Sequence, residues 1–359
     1  MTAPIQHAPI MIMAGGTGGH IFPGIAVAQE LRARDVPVVW LGSHGGLETR
    51  LVPQAGLTIE TLQISGVRGR GLLALLAAPW RIACALIAAW RVFGRVRPQR
   101  ALALGGFAAG PGGIAAWLRR VPLLVHEQNR VPGVTNRILA HFSTTLLCGF
   151  EGAFAGATWV GNPVRRDIAA LDVPARRFAD RSGPLRLLVL GGSQGAQSLN
   201  VALPKMFAAR AAQTWPQVRH QCGGKHVDQA RQAYREAGVD ADVAAFVDDM
   251  AAAYAWADVV ICRAGALTLA ELAAVGIGSI LVPYPNAVDD HQTKNAEAMV
   301  AAGAARMVAE GEEFVARLGA AYDELANRAG LLEMANAART LARPDAAARI
   351  ADACMQVAA

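Results

Sequence analysis

Charge is scarce in this chain. Only 17% of its 359 residues are Asp, Glu, Lys or Arg, while 53% are hydrophobic. That balance excludes a disordered chain and describes a compact protein with much buried sheet. Cysteine is scarce too: the five at 84, 148, 222, 262 and 354 form no C-x-x-C pair and no cysteine–histidine zinc spacing. They fit a reducing compartment, as small apolar fillers. The first residues, Met-Thr-Ala-Pro-Ile-Gln-His, show no basic segment leading into an apolar core, so the expectation is no secretion signal and a cytoplasmic protein. Positions 72–93 have the length to cross a bilayer, but Pro79, Arg81 and Arg91 interrupt them. A central arginine costs about 2.5–3.5 kcal/mol on insertion scales, which argues against a span. The net charge of +6 comes mostly from arginine and is too dispersed to point to nucleic acid. Arginine does suit phosphate and carboxylate groups, and the excess permits attraction to an anionic surface.

Glycine, by contrast, is abundant and falls where strands end. The apolar run Ile-Met-Ile-Met-Ala at 10–14 stops at Gly-Gly-Thr-Gly-Gly-His, 15–20, before an apolar-periodic helix (Ile25, Ala26, Ala28, Leu31). A strand, a glycine turn and a helix in that order bring unpaired N–H groups close to a ligand, and an anion suits them best. The loop is no dinucleotide fingerprint, because position 21 is Ile where the third glycine belongs. It also lacks the Gly-Lys-Ser/Thr ending of a P-loop. A turn that merely closes a strand–helix unit is the alternative. The same arrangement recurs at 105–113 and at Gly-Gly-Ser-Gln-Gly-Ala, 191–196, after the strand 185–190.

A chain of this length exceeds one core, and 166–184, rich in Arg and Asp with Ser-Gly-Pro at 182–184, reads as a domain boundary. Strands alternating with helices imply parallel sheets covered on both faces. The segment 72–93 reads as one or two amphipathic helices. Their leucines (72, 75, 76) and Trp80, rimmed by Arg68, Arg70, Arg95, Arg97 and Arg100, follow the pattern of an interfacial anchor, with ordinary core helices as the alternative. His126-Glu127-Gln128-Asn129 ends a strand, the edge where open α/β sheets hold ligands. Thr268-x-x-Glu271 has capping-box spacing, yet a carboxylate there could equally accept a ribose diol. Arg165, after Asn-Pro, is either solvated or a diphosphate clamp. Asp240-Ala-Asp242 is formally a metal-binding pair in a turn, a weak signal, and no metal is expected.

Five motifs in order, at 15–20, 126–129, Gly-Asn-Pro-Val-Arg at 161–165, 191–196 and Arg-x-Gly-Ala-Leu-Thr-x-x-Glu at 263–271, resemble the MurG family. These are UDP-N-acetylglucosamine–N-acetylmuramyl-(pentapeptide) pyrophosphoryl-undecaprenol N-acetylglucosamine transferases, and the resemblance runs from Gly15 to Asn295. It implies a GT-B fold: two Rossmann-like α/β domains whose parallel sheets face across a cleft, with 1–163 serving acceptor and membrane, 164–340 serving UDP-GlcNAc, and 341–359 a helix returning to the first domain. It implies inverting transfer of GlcNAc from UDP-GlcNAc to the 4-hydroxyl of the muramyl sugar of lipid I, giving lipid II and UDP without a cofactor, at the cytoplasmic face of the bacterial inner membrane. Donor contacts carried over are Arg165, Ser193, Val247, Ala266, Leu267, Thr268, Leu269, Ala270, Glu271 and either Gln292 or His291. First-domain contacts are Thr17, Gly18, Gly19 and Asn129. Ala264 stands where the family often has Ser. His20, titrating near neutrality, is the candidate base, with Glu127 second. Competing readings are another GT-B nucleotide-sugar enzyme, such as an epimerase or glycolipid synthase, and a membrane-surface binding protein whose glycine loops are structural.

Overall fold

A computed structural model describes residues 8–64, 78–192 and 194–356. The chain divides into two compact units, Met1–Pro163 with Arg343–Ala359, and Val164–Ala342. Among the described residues the first unit carries a parallel sheet of seven strands: β1 (Ile10–Ala14), β2 (Val38–Ser43), β3 (Thr58–Leu62), β4 (Arg100–Gly105), β5 (Leu123–Glu127), β6 (Thr145–Cys148) and β7 (Thr158–Trp159). Their order is β3-β2-β1-β4-β5-β6-β7.

β1 shows why both faces must be covered. Successive side chains point to opposite sides, so Ile10, Ile12 and Ala14 enter one core and Met11 and Met13 another. The first core is closed by helix Gly18–Arg32 and by Ile350, Ala351 and Cys354 of the C-terminal helix Ala346–Met355. The second is closed by Ala89, Val92 and Phe93 of helix Ala78–Val96 and by Ala109, Ala115 and Ala116 of helix Ala109–Leu118. The five residues of β1 are fully buried, which accounts for an unbroken apolar run where a half-exposed strand would alternate.

The second unit repeats the plan with six parallel strands: β8 (Arg186–Leu190), β9 (Gln217–Gln221), β10 (Ala241–Ala244), β11 (Val259–Cys262), β12 (Gly278–Leu281) and β13 (Ala305–Met307), ordered β10-β9-β8-β11-β12-β13. Strand order reverses between β1 and β4 and between β8 and β11, the places where doubly wound sheets open a crevice at their carboxyl edge. The glycine loops at 15–19 and 105–108 meet at the first reversal. Those at 191–195 and 263–265 follow the paired strands β8 and β11 at the second.

One sequence expectation shifts and another narrows. The helix after β1 begins at Gly18, a full turn and more before the apolar period starts, so Gly18, Gly19 and His20 form its first turn. Pro79 lies in the opening turn of helix Ala78–Val96, where a missing N–H costs nothing, and one continuous helix follows it. Arg68, Arg70, Leu72, Leu75 and Leu76 lie outside the described residues.

Candidate functional site

In the first unit the two glycine loops touch. Gly106 has φ +88°, and a Cβ there would fall 2.3 Å from the Gly15 carbonyl oxygen, so the backbones meet with no room for a side chain. Thr17 caps helix Gly18–Arg32 by its backbone alone. No side chain caps that end, and no acidic residue stands in its first turn. The Thr17 carbonyl accepts from the His20 N–H at 3.1 Å and from the Ile21 N–H at 3.3 Å. A helix start of this kind favours anions. The His20 ring lies over Gly105, and its Nδ1 is 3.2 Å from the Gly15 carbonyl. A carbonyl only accepts, so Nδ1 carries a proton, and in the neutral ring the lone pair is then on Nε2.

A carboxylate with no motif around it shapes this loop. Glu48 is fully buried; its Oε2 accepts from the Gly16 N–H at 3.1 Å and its Oε1 from the Ser43 N–H at 2.8 Å. No motif marks it, because one partner is the nearby end of β2 and the other, Gly16, lies 32 residues back in the chain.

The tetrad at the end of β5 divides in two. His126 is sealed in the core: its Nε2–H donates to the Gly161 carbonyl at 2.9 Å, and Nδ1 accepts from Gln128 Nε2 at 3.1 Å. Burial pushes its pKa down to about 4, more than the Gly161 bond and Glu127 restore, so the ring is neutral. Glu127 has both oxygens committed. Oε1 accepts from the Asn129 N–H (2.9 Å) and Nδ2 (3.2 Å), and Oε2 from Asn136 Nδ2 (2.9 Å) and the Gly133 N–H (3.1 Å). In this arrangement Glu127 organises the 129–133 turn. Of the four, Asn129 alone reaches partial exposure. Asn162 continues the network, its Nδ2 donating to the Gln128 carbonyl at 2.9 Å.

In the second unit, Gln221 at the end of β9 clamps the third glycine loop. Its Oε1 accepts from the Gly192 N–H at 2.9 Å, and its Nε2 donates to the Gly192 carbonyl at 3.1 Å. Ser193 lies outside the described residues. After β11 comes Arg263, whose guanidinium donates to the Val282 and Pro283 carbonyls (3.2 Å each) and to Ser198 Oγ (3.0 Å), and pairs with Glu310 at 2.5 Å. Arg263, Ser198 and Glu310, with Lys205, His226 and Tyr284, border a cavity of about 640 Å³.

Helix Ala266–Val275 begins at Gly265, again with no side-chain cap and no acidic residue in its first turn. Thr268 and Glu271 are therefore helical positions past the start, and the capping-box alternative falls. The Ala266, Leu267 and Thr268 amides belong to the turn whose N–H groups find no partner inside a helix. Leu269 already donates to the Gly265 carbonyl at 3.0 Å, and its side chain is buried. Glu271 Oε2 accepts from the Tyr254 hydroxyl at 2.9 Å. Burial raises its pKa, opposed by that hydrogen bond and by the nearby Arg165. Arg165 is half-exposed, 3.4 Å from Asp167. The fold thus brings Arg165, Glu271 and the Ala266–Thr268 turn together.

Val247 is half-buried beyond β10. Gln292 is held by its Oε1, which accepts from the Tyr284 N–H at 3.0 Å, while His291 Nδ1 is turned to the Val288 carbonyl at 2.7 Å. Asp242 lies 3.8 Å from Arg219, and among the described residues no three His, Cys, Asp or Glu side chains cluster as a metal site. Tyr254 and Gln221, like Glu48, stand in no motif that sequence alone would single out.

Residues 10–148 match the glycosyltransferase family 28 N-terminal domain, and residues 186–350 match that family's C-terminal domain. A protein of Xanthomonas axonopodis pv. citri (strain 306) is 58% identical over 351 residues, which cover 98% of this chain and 82% of that one. A protein of Xylella fastidiosa (strain M12) is 56% identical over 357 residues, 99% and 98% of the two chains. Both are named UDP-N-acetylglucosamine–N-acetylmuramyl-(pentapeptide) pyrophosphoryl-undecaprenol N-acetylglucosamine transferase. The crystal structure of Acinetobacter baumannii MurG superposes with a TM-score of 0.86 at 36% identity, covering 97% of this chain and 99% of that one. The kitacinnamycin glycosyltransferase, at 19% identity and a TM-score of 0.72, shares the fold.

Proposed function

The chain belongs to glycosyltransferase family 28, among its MurG members, and from that premise we propose how its residues divide the reaction. The enzyme transfers GlcNAc from UDP-GlcNAc to lipid I, forming lipid II and UDP in peptidoglycan synthesis. In our reading the second unit holds the donor. Glu271 accepts the ribose hydroxyls, and the Ala266–Thr268 amides and Arg165 meet the diphosphate, where negative charge grows as the sugar leaves. Preorganised donors can stabilise a departing diphosphate without a metal. Val247, Ala270, Gln292 and Ser193 complete the donor contacts carried over from the family.

The first unit holds the acceptor against Thr17, Gly18, Gly19 and Asn129. His20 Nε2 removes the proton from the 4-hydroxyl as that oxygen attacks the sugar's anomeric carbon, and direct displacement inverts the α linkage to β.

The observation that carries this division is Glu271: a carboxylate kept buried behind an uncapped helix start, one oxygen, Oε2, held by the buried Tyr254 hydroxyl. Calorimetric titration tests it. Glu271→Gln should weaken UDP binding by about 10- to 100-fold, the value of a hydrogen bond to a charged group. Because burial raises the Glu271 pKa, ionisation opposes folding: its stabilising share is present at low pH and is lost as pH rises through the raised value. Glu271→Gln should therefore leave the ligand-free protein at least as stable at neutral pH. Unchanged UDP affinity would remove the ribose role.

A polyprenyl acceptor stays in the bilayer, so the enzyme must come to it. Among the described residues no helix is long and apolar enough to cross a membrane. Helix Ala78–Val96 buries Ala85, Ala89, Val92 and Phe93 inward, yet turns Trp80 (74% exposed) and Ile87 (53%) outward along one stripe. Trp117 and Leu118 are exposed on the neighbouring helix Ala109–Leu118, and Arg119 stacks on Trp90 at 4.1 Å. An apolar outer face beside arginines suits reversible attachment to anionic lipid at the cytoplasmic leaflet.

A further inference from the structure

The imidazole of His20 is tied to a buried negative charge through a single peptide group. That group joins Gly15 to Gly16. Its N–H end donates to Glu48 Oε2 at 3.1 Å, and its C=O end accepts from His20 Nδ1 at 3.2 Å. The second Glu48 oxygen is fixed by the Ser43 N–H at 2.8 Å. Room for the carboxylate is made by three glycines. A Cβ at Gly15, Gly42 or Gly46 would come within 2.2, 2.6 or 2.4 Å of the Glu48 side chain. The end of β1, the end of β2 and the turn that follows β2 have thus been kept bare around one fully buried acid, a costly arrangement for a group that only fills space.

We propose that Glu48 is a positioning residue for the transfer reaction, acting on His20 through the Gly15–Gly16 peptide. The carboxylate polarises the peptide by accepting its N–H, and the polarised carbonyl holds Nδ1–H more strongly. This fixes the tautomer that leaves Nε2 as the proton acceptor. It also places a negative charge where it stabilises the imidazolium that forms when the acceptor hydroxyl gives up its proton. The arrangement does the work of a carboxylate–histidine pair, with a peptide between the partners. The inference rests on the reading of His20 as the base.

Three variants and one resonance test it. His20→Gln should cut kcat by about 10²–10⁴. Glu48→Gln should lower kcat about tenfold, leave the KM for UDP-GlcNAc unchanged, and lower the His20 pKa, read by NMR, by about half a unit. The acid limb of the kcat profile moves to lower pH by the same amount. Added to His20→Gln, the Glu48→Gln change should cost no further turnover. A folded Glu48→Gln enzyme with unaltered kcat and His20 titration would overturn the proposal. Wild-type turnover by His20→Gln would instead remove the base reading beneath it. Should Glu48→Gln not fold, the unaltered protein still decides: the Glu48 carboxyl carbon and the Gly16 amide should shift with the His20 midpoint, and flat resonances there refute the link.

Discussion

Burial separates the two histidines that the sequence sets beside strand ends in the first sheet. His126, in β5, has both ring nitrogens bonded inside the protein and no water to share its charge, and its pKa falls to about 4. His220, buried in β9, falls to about 3 through burial alone. His20 stays at the edge with one nitrogen turned to a carbonyl. The buried pair has a consequence for acid stability. Their folded pKa values lie below the unfolded value, so the unfolded chain binds more protons as pH falls from about 6.5. Each histidine should then remove up to about 1.4 kcal/mol of stability per pH unit, the loss continuing to about pH 4 for His126 and about pH 3 for His220. Urea unfolding between pH 7 and 5 measures it, and a His126→Gln/His220→Gln double variant that folds should show a flatter dependence. At this scale the sequence was a partial guide. A His-Glu-Gln-Asn run reveals a strand end full of polar groups, but which of them face inward is decided by the 129–133 turn and by Gly161, far along the chain. Glu48 and Tyr254 stood in no motif because the contacts that tie them to the sites, to Gly16 and to Glu271, span 32 and 17 residues.

Among the elements, the strand–glycine–helix units were legible because each signal is local: an apolar run, a turn only glycine permits, then an uncapped helix start. Where the helix after β1 begins was not, since its first turn is Gly-Gly-His and carries no apolar period. The contact between glycine loops yields a sharp expectation. Gly106→Ala must abandon φ +88° and displace the Gly15 carbonyl, so it should destabilise the protein by about 2 kcal/mol or more and, through Gly15, disturb His20. Denaturant melts together with turnover measure both. Helix Ala78–Val96 carries the membrane expectation. Its outward stripe contributes nothing to the core, so Trp80→Glu with Ile87→Glu should leave folding and UDP affinity intact. Sedimentation with anionic vesicles should drop sharply, along with use of long-chain lipid I, while a water-soluble acceptor is still consumed. Undiminished pelleting of the double variant would sink the attachment role of this helix.

Among the described residues the molecule carries two doubly wound sheets, each with its strand order reversing where glycine-bearing turns follow neighbouring strands. On the proposed division of the reaction, one reversal serves the acceptor and the other the nucleotide. Donor binding by the second unit alone predicts that UDP at about 100 times its Kd adds about 2.7 kcal/mol of stability. That gain should persist in His20→Gln and shrink in Glu271→Gln. Whether two differently equipped reversals carry out one displacement on an acceptor hydroxyl is decided by measuring UDP release from UDP-GlcNAc with and without a lipid I analogue. Release should occur only when the acceptor is present, one UDP for each β-linked GlcNAc appearing on the muramyl 4-hydroxyl, with near-complete loss of both in His20→Gln. UDP release at the same rate without acceptor, or with no disaccharide formed, would contradict that division.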